Sequence, residues 1–469
     1  MWTKKPILLI PVENQVRELD AKLLLACVSA WRGFTSIIGP KRELEHRIES
    51  FPRSVYVAKS MVQGNSKFLR IAQKLGHTNV AWDEEALVHL PPDIYFTRRF
   101  SPEALAHVSH LFAWGKDNAR LWRKYPELPV GMPIHITGNP RNDLLRPEIR
   151  PYYEKDVNEI RSTYGDFILI NTNVNHVNAF LPGRNLFLPI EKPGQEPGFG
   201  RAARGMTREY AEGLRRFKQA IFEAFQELIP ALEKSFPSHT IIVRPHPTES
   251  QEVYHQIAAR CEHVQVTNKG NVVPWLLAAQ ALIHNGCTTA VEAYVMRIPA
   301  ISYRATIDEK YDYGFYALPN QLSHQCFDFA QLQQTLSKIL AGELGAADGD
   351  KRLALIDHHL SGHKGPLACE RIIDVLEKIV DGPSGLPKPL LLGQLEKWIK
   401  ATKRSVRQKS KLPVARDEKS LKFQRHKYPE ITIGELRSRI TRFQQILGKD
   451  RELKVEQIYP KLFRIRARH

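Results

Sequence analysis

The segment ALIHNGCTTAVEAYVMRIPAISY (281–303) decides the fold of this protein. Its apolar run at 281–286 is predicted to be a buried strand, residues 287–296 a helix, and residues 299–303 the next strand. Two strands joined by a crossover helix run parallel in one sheet. The segment therefore predicts an α/β protein with a parallel sheet.

The same alternation continues upstream and downstream of this segment. Apolar runs at 167–173 and 240–247 read as strands, and the amphipathic stretch 207–235 between them reads as a long helix. The remaining predicted elements are a strand at 263–268 and helices at 329–341 and 366–380. We therefore expect a Rossmann-like domain over 156–380, which would hold a nucleotide donor.

An earlier series of short apolar runs predicts a second sheet. The predicted helix 17–33, which ends at Gly33, follows the first of these runs. The runs lie at 7–12, 35–39, 54–58, 79–82, 110–115 and 134–140. They indicate an N-terminal Rossmann-like domain over 1–155, which would hold the acceptor. The predicted fold class is thus α/β, with two doubly wound domains that face a cleft.

Two regions lack this alternation. Residues 174–206 are rich in Pro and Gly, and we expect a long mobile loop that acts as a lid or contacts the acceptor. Beyond the linker DGPSGLPKP (381–389), residues 381–469 are predicted to form a basic linker and tail, with a terminal helix near 430–448. Residues 397–469 hold 22 Lys and Arg against 7 Asp and Glu, so +15 of the net charge of +18 lies there. Such a tail attracts the phosphates of nucleic acid or anionic lipid, unless it is only a solvated extension.

Composition excludes several classes. No apolar run is long enough to span a membrane, and the run after the first lysines reads as a strand rather than a signal peptide, so we expect a cytoplasmic protein. The five cysteines form no CxxC pair and are expected to be reduced. No Walker loop or GxGxxG follows a strand, and His358, His359 and His363 lack complementary ligands. No ATP, NAD, metal or other cofactor is therefore predicted.

The loop after the strand at 240–244 is the first predicted site. Arg244, His246 and Glu249 follow a buried strand at its carboxyl end, where ligands of open α/β sheets bind. Arg244 is suited to clamp a phosphate, and His246 to donate to a phosphate oxygen. The alternative is a structural turn whose histidine bonds the neighbouring backbone.

The second predicted site is HNGCTTAVEAY (284–294). His284, Asn285 and Gly286 end a strand, and the helix that follows presents N–H groups and the Thr288 and Thr289 hydroxyls to an anion. Glu292, one turn later, can accept ribose hydroxyls. The alternatives are ordinary N-capping by the threonines and a solvated position for Glu292. Asn171, Thr172 and Asn173 end the first strand of the same domain and are predicted to face the donor.

Acidic residues in the first domain are the predicted catalytic groups. Glu13 follows the first strand, and Asp83, Glu84 and Glu85 follow the strand at 79–82. Either set can supply a general base or a nucleophile, although the second can instead cap a helix after Trp82. Asn139, Arg141 and Asp143 lie near the domain junction and are predicted to border the cleft. The alternative is that Arg141 and Asp143 pair with each other.

Four blocks carry a resemblance to known proteins. They are WDEEALV (82–88), GNPRNDLLRPE (138–148), RPHPTES (244–250) and GNVVPWLLAAQALIHNGCTTAVEAY (270–294). Together they resemble the bacterial surface carbohydrate biosynthesis proteins over roughly residues 6–380, and HKYPEITIGELRSRI (426–440) extends the resemblance weakly. The His-Pro and Thr elements are similar to those of Kdo transferases, polysialyltransferases and glycerophosphotransferases, which use cytidine-activated donors.

The resemblance implies a GT-B-like glycosyltransferase of surface polysaccharide such as capsule or lipopolysaccharide. His246, Thr288 and Thr289 would hold the donor phosphate and Glu292 the ribose. The donor would be a CMP-linked sugar, Kdo-like or another nonulosonic acid, and the acceptor a glycan or lipid-linked glycan. The enzyme would be peripheral at the inner membrane, with its basic tail on anionic lipid.

Three alternatives stay open. The same phosphate-binding elements fit a CDP-glycerol-type polyol-phosphate transferase, and the fold fits an enzyme similar to UDP-GlcNAc 2-epimerase. A nucleic-acid-binding protein would use the basic tail, but no RNA-binding motif organises its aromatic residues, so nucleic acid is the least favoured partner.

Overall fold

The computed structural model describes residues 7–190, 194, 196–312, 317–382, 386 and 428–468. Contacts divide the chain into two compact units. Unit 1 consists of Met1–Leu87, Arg99–Tyr152 and Asp357–His469, and unit 2 of Val88–Arg98 and Tyr153–Ile356. Each unit is a doubly wound α/β domain on a mainly parallel sheet, which confirms the predicted fold class.

The strands and helices follow one another as the sequence pattern predicts. The strands are β1 (Ile7–Val12), β2 (Thr35–Pro40), β3 (Ser54–Ala58), β4 (Thr78–Ala81), β5 (His110–Ala113), β6 (Ile134–Ile136), β7 (Phe167–Asn171), β8 (Thr240–Arg244), β9 (Val264–Val266), β10 (Ala281–His284), β11 (Ala300–Tyr303), β12 (His324–Cys326), β13 (Leu453–Tyr459) and β14 (Leu462–Ala467). The helices are α1 (Gln15–Trp31), α2 (Lys41–His46), α3 (Gln63–Lys74), α4 (Pro92–Arg99), α5 (Pro102–Leu105), α6 (Lys116–Arg123), α7 (Pro140–Asp143), α8 (Glu154–Tyr164), α9 (Arg208–Ser235), α10 (Glu252–Ala258), α11 (Val272–Ala278), α12 (Thr289–Met296), α13 (Glu309–Asp312), α14 (Ala317–Gln321), α15 (Phe329–Leu340), α16 (Asp350–His359), α17 (Ala368–Asp381) and α18 (Ile433–Ile446). Short 3-10 turns lie at Ile48–Ser50, Arg150–Tyr153, Pro182–Arg184 and Arg201–Ala203.

The sheet of unit 1 has eight strands in the order β13-β14-β2-β1-β3-β4-β5-β6. Strands β1 to β6 are parallel, and β1 is buried along its whole length because helices cover both faces of such a sheet. The chain leaves β1 for β2 on one side and later continues with β3 on the other. The strand order therefore reverses between β1 and β3, and the carboxyl ends of these strands mark the switch point of the sheet.

The last two described strands, β13 and β14, belong to this sheet. Strand β14 pairs antiparallel with β2, Arg464 opposite Ile37, and β13 pairs with β14. Leu436, Ile440 and Phe443 bury one face of α18. The predicted terminal helix is therefore present, but residues 428–468 fold as part of unit 1 and do not form a tail. Apolar residues alternate with arginines along β14, so one face of this strand is buried although the sequence looks basic. Most of the basic excess lies in 397–427, which is outside the described residues.

The sheet of unit 2 has six parallel strands in the order β12-β11-β10-β7-β8-β9. Its switch point lies between β7 and β10, where Asn171 is opposite His284. The predicted strands and the long helix α9 are confirmed to within a few residues, and Leu214, Phe217, Ile221 and Phe225 lie on its buried face. The unit limits differ from the predicted 1–155, 156–380 and 381–469, because Val88–Arg98 joins unit 2 and Asp357–His469 joins unit 1.

The Pro- and Gly-rich region of unit 2 is more ordered than its composition predicts. Phe187 and Phe199 form an antiparallel bridge, the Leu188 N–H donates to Gly198 O at 2.9 Å, and the Gly200 N–H donates to Leu186 O at 2.9 Å. Residues 186–188 thus pair antiparallel with residues 198–200, and 191–193 and 195 are outside the described part. A search of the described helices finds none with the length and apolar character to cross a membrane.

Candidate functional site at the switch point of unit 2

The strand β10 ends in a turn that His284 shapes from inside the protein. The side chain is fully buried, its Nδ1 accepts the Gly286 N–H at 2.9 Å, and its Nε2 lies 2.8 Å from Ser323 Oγ. Burial lowers the pKa of His284 to about 3, so the ring is neutral. Gly286 has φ +79°, a conformation that favours glycine. His284 thus holds the turn and Gly286 lets the chain reverse, while a contact between His284 and the donor stays a prediction.

Asn285, between these two residues, has a side chain without a partner. The residue is 5% exposed, and neither its Oδ1 nor its Nδ2 has a hydrogen-bond partner among the described residues. Across the switch point, Asn171 donates from Nδ2 to Thr289 Oγ1 at 3.0 Å, while its buried Oδ1 has no partner in the same described part of the chain. An unsatisfied buried polar atom costs ~1–3 kcal/mol, so these atoms mark a place where a polar ligand would add missing bonds.

The start of α12 lies next to this pair. Thr288 precedes the helix with αR backbone angles, and its side chain makes no capping bond, so the N-capping alternative does not describe it. Helix N-termini attract anions because their first N–H groups lack intrahelical acceptors. Glu292, one turn later, is 6% exposed rather than solvated. The Thr288 hydroxyl and the Glu292 carboxylate thus lie within one turn of each other, while the Ala290 and Val291 N–H groups donate to Cys287 O and Thr288 O, each at 3.0 Å.

His246 follows β8, the neighbour of β7 on its other side. Its Nδ1 lies 2.8 Å from Thr248 Oγ1 and 3.3 Å from the Thr248 N–H, and Asn175 Nδ2 donates to the same Oγ1 at 3.0 Å. Since a backbone N–H can only donate, Nδ1 acts as the acceptor and the proton of the neutral ring lies on Nε2. The ring is half-buried, and bonds to Thr248 hold its Nδ1 within the loop.

Glu249 braces the loops around His246 instead of facing a ligand. The residue is 2% exposed, and its oxygens accept from the Val174 N–H at 2.9 Å, the Thr172 hydroxyl at 2.8 Å and the Tyr254 hydroxyl at 2.9 Å. Its Oε1 also accepts the His246 N–H at 3.3 Å. Burial raises the pKa of Glu249. Internal bonds thus use Glu249 and the Thr172 hydroxyl to tie the ends of β7 and β8 together, and their predicted donor contacts stay predictions.

Lys218, on the buried face of α9, completes this brace. It is 1% exposed, and its Nζ donates to the backbone oxygen of Asn173 at 2.5 Å. Burial lowers its pKa to about 7, although Glu249 acts in the opposite direction. The backbone oxygen of Asn173 thus accepts a bond from the buried Lys218 side chain, and this bond fixes the loop after β7 to helix α9.

Arg244 also turns into the protein. Its guanidinium donates to Lys269 O at 2.9 Å and Gly270 O at 3.2 Å, and it lies 4.7 Å from the centre of the Trp275 ring. Burial lowers the pKa of Arg244 to about 9. The cation joins the end of β8 to the loop before α11 and stacks on an aromatic ring, and the predicted phosphate clamp stays a prediction.

The switch point of unit 1 carries a separate cluster of charges. Glu13, directly after β1, lies 2.8 Å from the ammonium of Lys59, which directly follows β3. Lys59 also lies 3.2 Å from Glu18, which in turn pairs with Lys22 at 2.6 Å. Burial disfavours the charged form of Lys59, yet the surrounding carboxylates outweigh it and raise its pKa. Glu13 is the most accessible carboxylate of this group, with its side chain 33% exposed.

The other predicted catalytic acids have internal partners. Asp83 is fully buried and accepts two bonds from Arg99. Glu84 is 3% exposed, and Glu85 forms a two-point pair with Arg17 at 2.7 and 3.1 Å. Burial opposes ionisation of Glu85, but the arginines lower its pKa well below the usual range. The alternative of a helix cap is also wrong, because residues 84–87 form a turn.

The residues at 139–143 have structural roles. Asn139 Oδ1 accepts the Arg141 N–H at 3.0 Å and so caps α7, while the Arg141 guanidinium lies 5.6 Å from the Trp114 ring centre. The carboxylate of Asp143 accepts the N–H groups of Ala368 at 2.7 Å and Cys369 at 2.9 Å, at the start of α17. Burial raises the pKa of Asp143 to about 7. Asp143 therefore caps the N-terminus of α17, a role different from the two predicted for it, which were bordering the cleft and pairing with Arg141.

Sequence reasoning missed Lys59, Glu18, Lys22 and Lys218. Lys59 follows a buried strand just as Glu13 does, so the rule that selected Glu13 also selects it. Lys218 lies among apolar residues on one face of an amphipathic helix, and a lysine there signals a buried partner. The described residues contain no group of three or more His, Cys, Asp or Glu side chains placed to hold a metal ion.

Comparison with known proteins gives distant structural likeness. No family model matches the sequence, and no curated protein matches it. The chain is similar to the solved wall teichoic acid polymerase TagF, at 12% identity over 80% of this chain and 88% of that one, with a TM-score of 0.47. It is also similar to the UDP-GlcNAc 2-epimerases of Methanocaldococcus jannaschii (12% identity, 79% and 99% covered, TM-score 0.46) and Neisseria meningitidis (11%, 79% and 99%, 0.45).

Proposed function

We propose that this protein is a glycosyltransferase of bacterial surface polysaccharide synthesis, which transfers a sugar from a cytidine-nucleotide donor held by unit 2. The observation that carries the proposal is a set of buried polar atoms at the switch point of the second sheet: Asn285 Oδ1 and Nδ2 and Asn171 Oδ1 have no hydrogen-bond partner among the described residues. Doubly wound sheets bind nucleotides there, and a buried amide without partners is stabilised when a ligand supplies them.

In this proposal three groups hold the donor phosphate. The backbone N–H and the hydroxyl of Thr288, just before α12, donate to its oxygens, and His246 donates from Nε2. Glu292 accepts the ribose hydroxyls, and the Asn285 amide both donates and accepts. The sugar specificity, a Kdo-like or other nonulosonic acid, rests on the family resemblance alone.

Glu13 is the catalytic base that we favour in unit 1. It follows β1 at the switch point, and its side chain is 33% exposed, whereas Asp83 and Glu84 are buried. The Glu85 side chain is 41% exposed, but two bonds from Arg17 hold its carboxylate. During transfer the acceptor oxygen bonds to the anomeric carbon as the bond from that carbon to the donor phosphate breaks. The acceptor proton passes to the Glu13 carboxylate and the nucleotide leaves with the bonding electrons. The Lys59 ammonium lies 2.8 Å from that carboxylate.

A donor panel tests the proposal. The purified protein is incubated with CMP-linked sugars, CDP-glycerol and UDP-GlcNAc, and release of nucleotide and the fate of the sugar are followed by chromatography. We expect turnover of a CMP-linked sugar. Release of CMP from CDP-glycerol would instead indicate a polyol-phosphate transferase, and epimerised UDP-GlcNAc an epimerase. Binding of none of these nucleotides by calorimetry would overturn the nucleotide site itself.

His246→Ala is expected to weaken donor turnover by roughly 10- to 150-fold, because it removes one charge-assisted bond worth about 1.5–3 kcal/mol. The fold should survive, since the half-buried ring carries little packing. Steady-state kinetics with the best donor measures the loss. His239→Ala, in the same unit but away from this loop, is the control. Normal turnover by the His246 variant would make the loop purely structural.

Glu292→Gln is expected to lower nucleotide affinity and to shrink the preference for ribo- over deoxyribonucleotides, because the ribose hydroxyls lose a charged acceptor. Calorimetry with CMP and dCMP measures both effects. Glu223→Gln, on the exposed side of α9, is the matched control. An unchanged ratio of the two affinities would remove Glu292 from the site.

The acceptor is proposed to be a glycan or lipid-linked glycan, which the enzyme would meet at the cytoplasmic face of the inner membrane. The basic tail would supply attraction to anionic lipid through residues 397–427, which lie outside the described residues. Nucleic-acid binding is less favoured for residues 428–468, because several of their basic side chains already have acidic partners. Lys454 and Arg464 pair with Glu456, and Arg468 pairs with Glu452.

A further inference from the structure

A cavity of about 520 Å³ lies in unit 1, at the edge of the sheet where the parallel strands begin. Its polar lining includes His77 and Asn79 at β4, His107 and His110 at β5, His135 in β6 and Lys378 on α17. Small-molecule sites commonly measure ~300–1,000 Å³, so this space can hold a ligand. Glu13 and Lys59 follow the carboxyl ends of β1 and β3, at the opposite edge of the sheet. The cavity is therefore separate from the charge cluster at the switch point of unit 1.

Two buried atoms at this cavity have no hydrogen-bond partner among the described residues. Asn79 is 2% exposed, and its Nδ2 donates to Leu69 O at 2.8 Å and to His107 O at 2.9 Å, which leaves its Oδ1 without a donor. His135 Nε2 is the second such atom. Buried polar atoms are nearly always bonded, so these two mark places where a ligand would supply the missing partners.

The rings of His110 and His135 stack beside each other in the lining. Their centres lie 5.4 Å apart, and the angle between their planes is 21°. The Ser109 hydroxyl donates its one proton to Asn79 O at 3.0 Å, so the same Oγ accepts from His110 Nδ1 at 3.0 Å. Burial lowers the pKa of both rings, and the Lys378 charge lowers that of His135 further. The rings are therefore neutral at pH 7, and His110 Nε2 is an acceptor.

The α17 side of the cavity carries positive charge. Lys378 is exposed there, and none of the described residues that line the cavity is acidic. The carboxylates of Asp374 and Glu377, on the same helix, pair with Arg32 instead. An anionic group is therefore the ligand chemistry that this side of the cavity favours.

We propose that this cavity is a second ligand site of the protein, which binds a small phosphorylated sugar or polyol. The phosphate of the ligand pairs with Lys378 and accepts from His135 Nε2. Its hydroxyls donate to Asn79 Oδ1 and His110 Nε2, and Val375 adds an apolar contact for its C–H groups. The inference goes beyond the proposed function, because this site lies away from the carboxyl ends of the strands and takes neither the donor nor the acceptor.

Calorimetry with the full-length protein and ribose 5-phosphate tests this site, first without CMP and then with CMP present in excess. We expect ribose 5-phosphate to bind at least about tenfold more tightly than ribose or inorganic phosphate, because neither part alone makes both sets of contacts. CMP should leave this affinity unchanged, since the proposed donor site belongs to unit 2 and the cavity to unit 1.

Two variants locate the binding in the cavity. His135→Phe keeps a ring for the stack but removes Nε2, and Lys378→Gln removes the charge of an exposed side chain. Each should weaken ribose 5-phosphate binding roughly tenfold. Lys338→Gln, at an exposed position of α15, is the matched control and should bind as wild type does. Because Lys378 is exposed, its variant decides the question even if His135→Phe folds poorly.

Three results would overturn the inference. The first is ribose 5-phosphate that binds no more tightly than inorganic phosphate. The second is a Lys378→Gln variant that binds ribose 5-phosphate as wild type does. The third is displacement of ribose 5-phosphate by CMP, which would place its binding at the donor site of unit 2 and not in this cavity.

Discussion

Asn285→Ala should reduce nucleotide affinity by roughly 10- to 150-fold without lowering the stability of the nucleotide-free protein. The affinity falls because a bound nucleotide loses a donor and an acceptor worth together about 1.5–3 kcal/mol. Stability is spared because the amide is buried and finds no hydrogen-bond partner in the described part of the chain, so its removal relieves a desolvation cost of about 1 kcal/mol or more that offsets the lost packing. Calorimetry gives the affinity, and urea denaturation gives the free energy of unfolding.

Asn320→Ala is the matched control in the same unit. Asn320 is 6% exposed, much like Asn285, but its Oδ1 accepts the Ser302 hydroxyl at 2.7 Å. Its removal should lower the free energy of unfolding by about 1–3 kcal/mol and leave nucleotide affinity unchanged. The opposite pattern, in which Asn285→Ala destabilises the free protein and binds nucleotide normally, would show that the Asn285 amide serves the fold and not a ligand.

The contrast between Asn285 and His284 shows what a sequence can reveal about this site. The strand, turn and helix of 281–296 follow from periodicity, and they correctly bring Asn285, Thr288 and Glu292 to one end of a parallel sheet. Which side chain faces outward depends on the turn conformation. His284 points back into unit 2 to bond the Gly286 N–H, and no pattern of residue types encodes that reversal.

Long-range partners account for the other differences. Arg244, Glu249 and Asp143 are polar residues at strand or helix ends, where the sequence predicts ligand contacts. Each instead satisfies buried backbone groups far along the chain, as Asp143 does at Ala368, 225 residues away. The sequence did not predict strand β14, although it predicted its partner β2. Arginines alternate with the buried apolar residues of β14, so the segment looks like part of a basic tail. Such pairings need coordinates, because composition and spacing report only on local structure.

Glu249→Ala should cause the largest loss of stability in unit 2. The carboxylate accepts from two backbone N–H groups and two hydroxyls, and it is the counter-charge of Lys218. Truncation leaves these buried donors unpaired and the ammonium uncompensated. Removal of one partner from a buried pair costs about 3–5 kcal/mol, and the urea denaturation curve of unit 2 should shift accordingly.

A double-mutant cycle measures the electrostatic coupling between Glu249 and Lys218. Glu249→Gln keeps the shape but not the charge, and Lys218→Met removes the cation. The double variant leaves neither charge alone in the interior, so it should be less destabilised than the sum of the single variants by about 1–3 kcal/mol. Strict additivity would mean that the two groups do not interact and that hydrogen bonds alone carry the role of Glu249.

The pH dependence of stability isolates Lys218. Burial lowers its pKa from 10.5 to about 7 in the folded protein, so between these two values the unfolded chain binds a proton that the folded chain does not. The free energy of unfolding should therefore gain up to about 1.4 kcal/mol per pH unit from this group as pH rises above 7. Lys218→Met should lose this gain, measured as the difference between wild-type and variant urea midpoints from pH 7 to 9.5. Parallel pH profiles would mean that Lys218 stays protonated throughout this window, with Glu249 and the Asn173 carbonyl together outweighing the cost of burial.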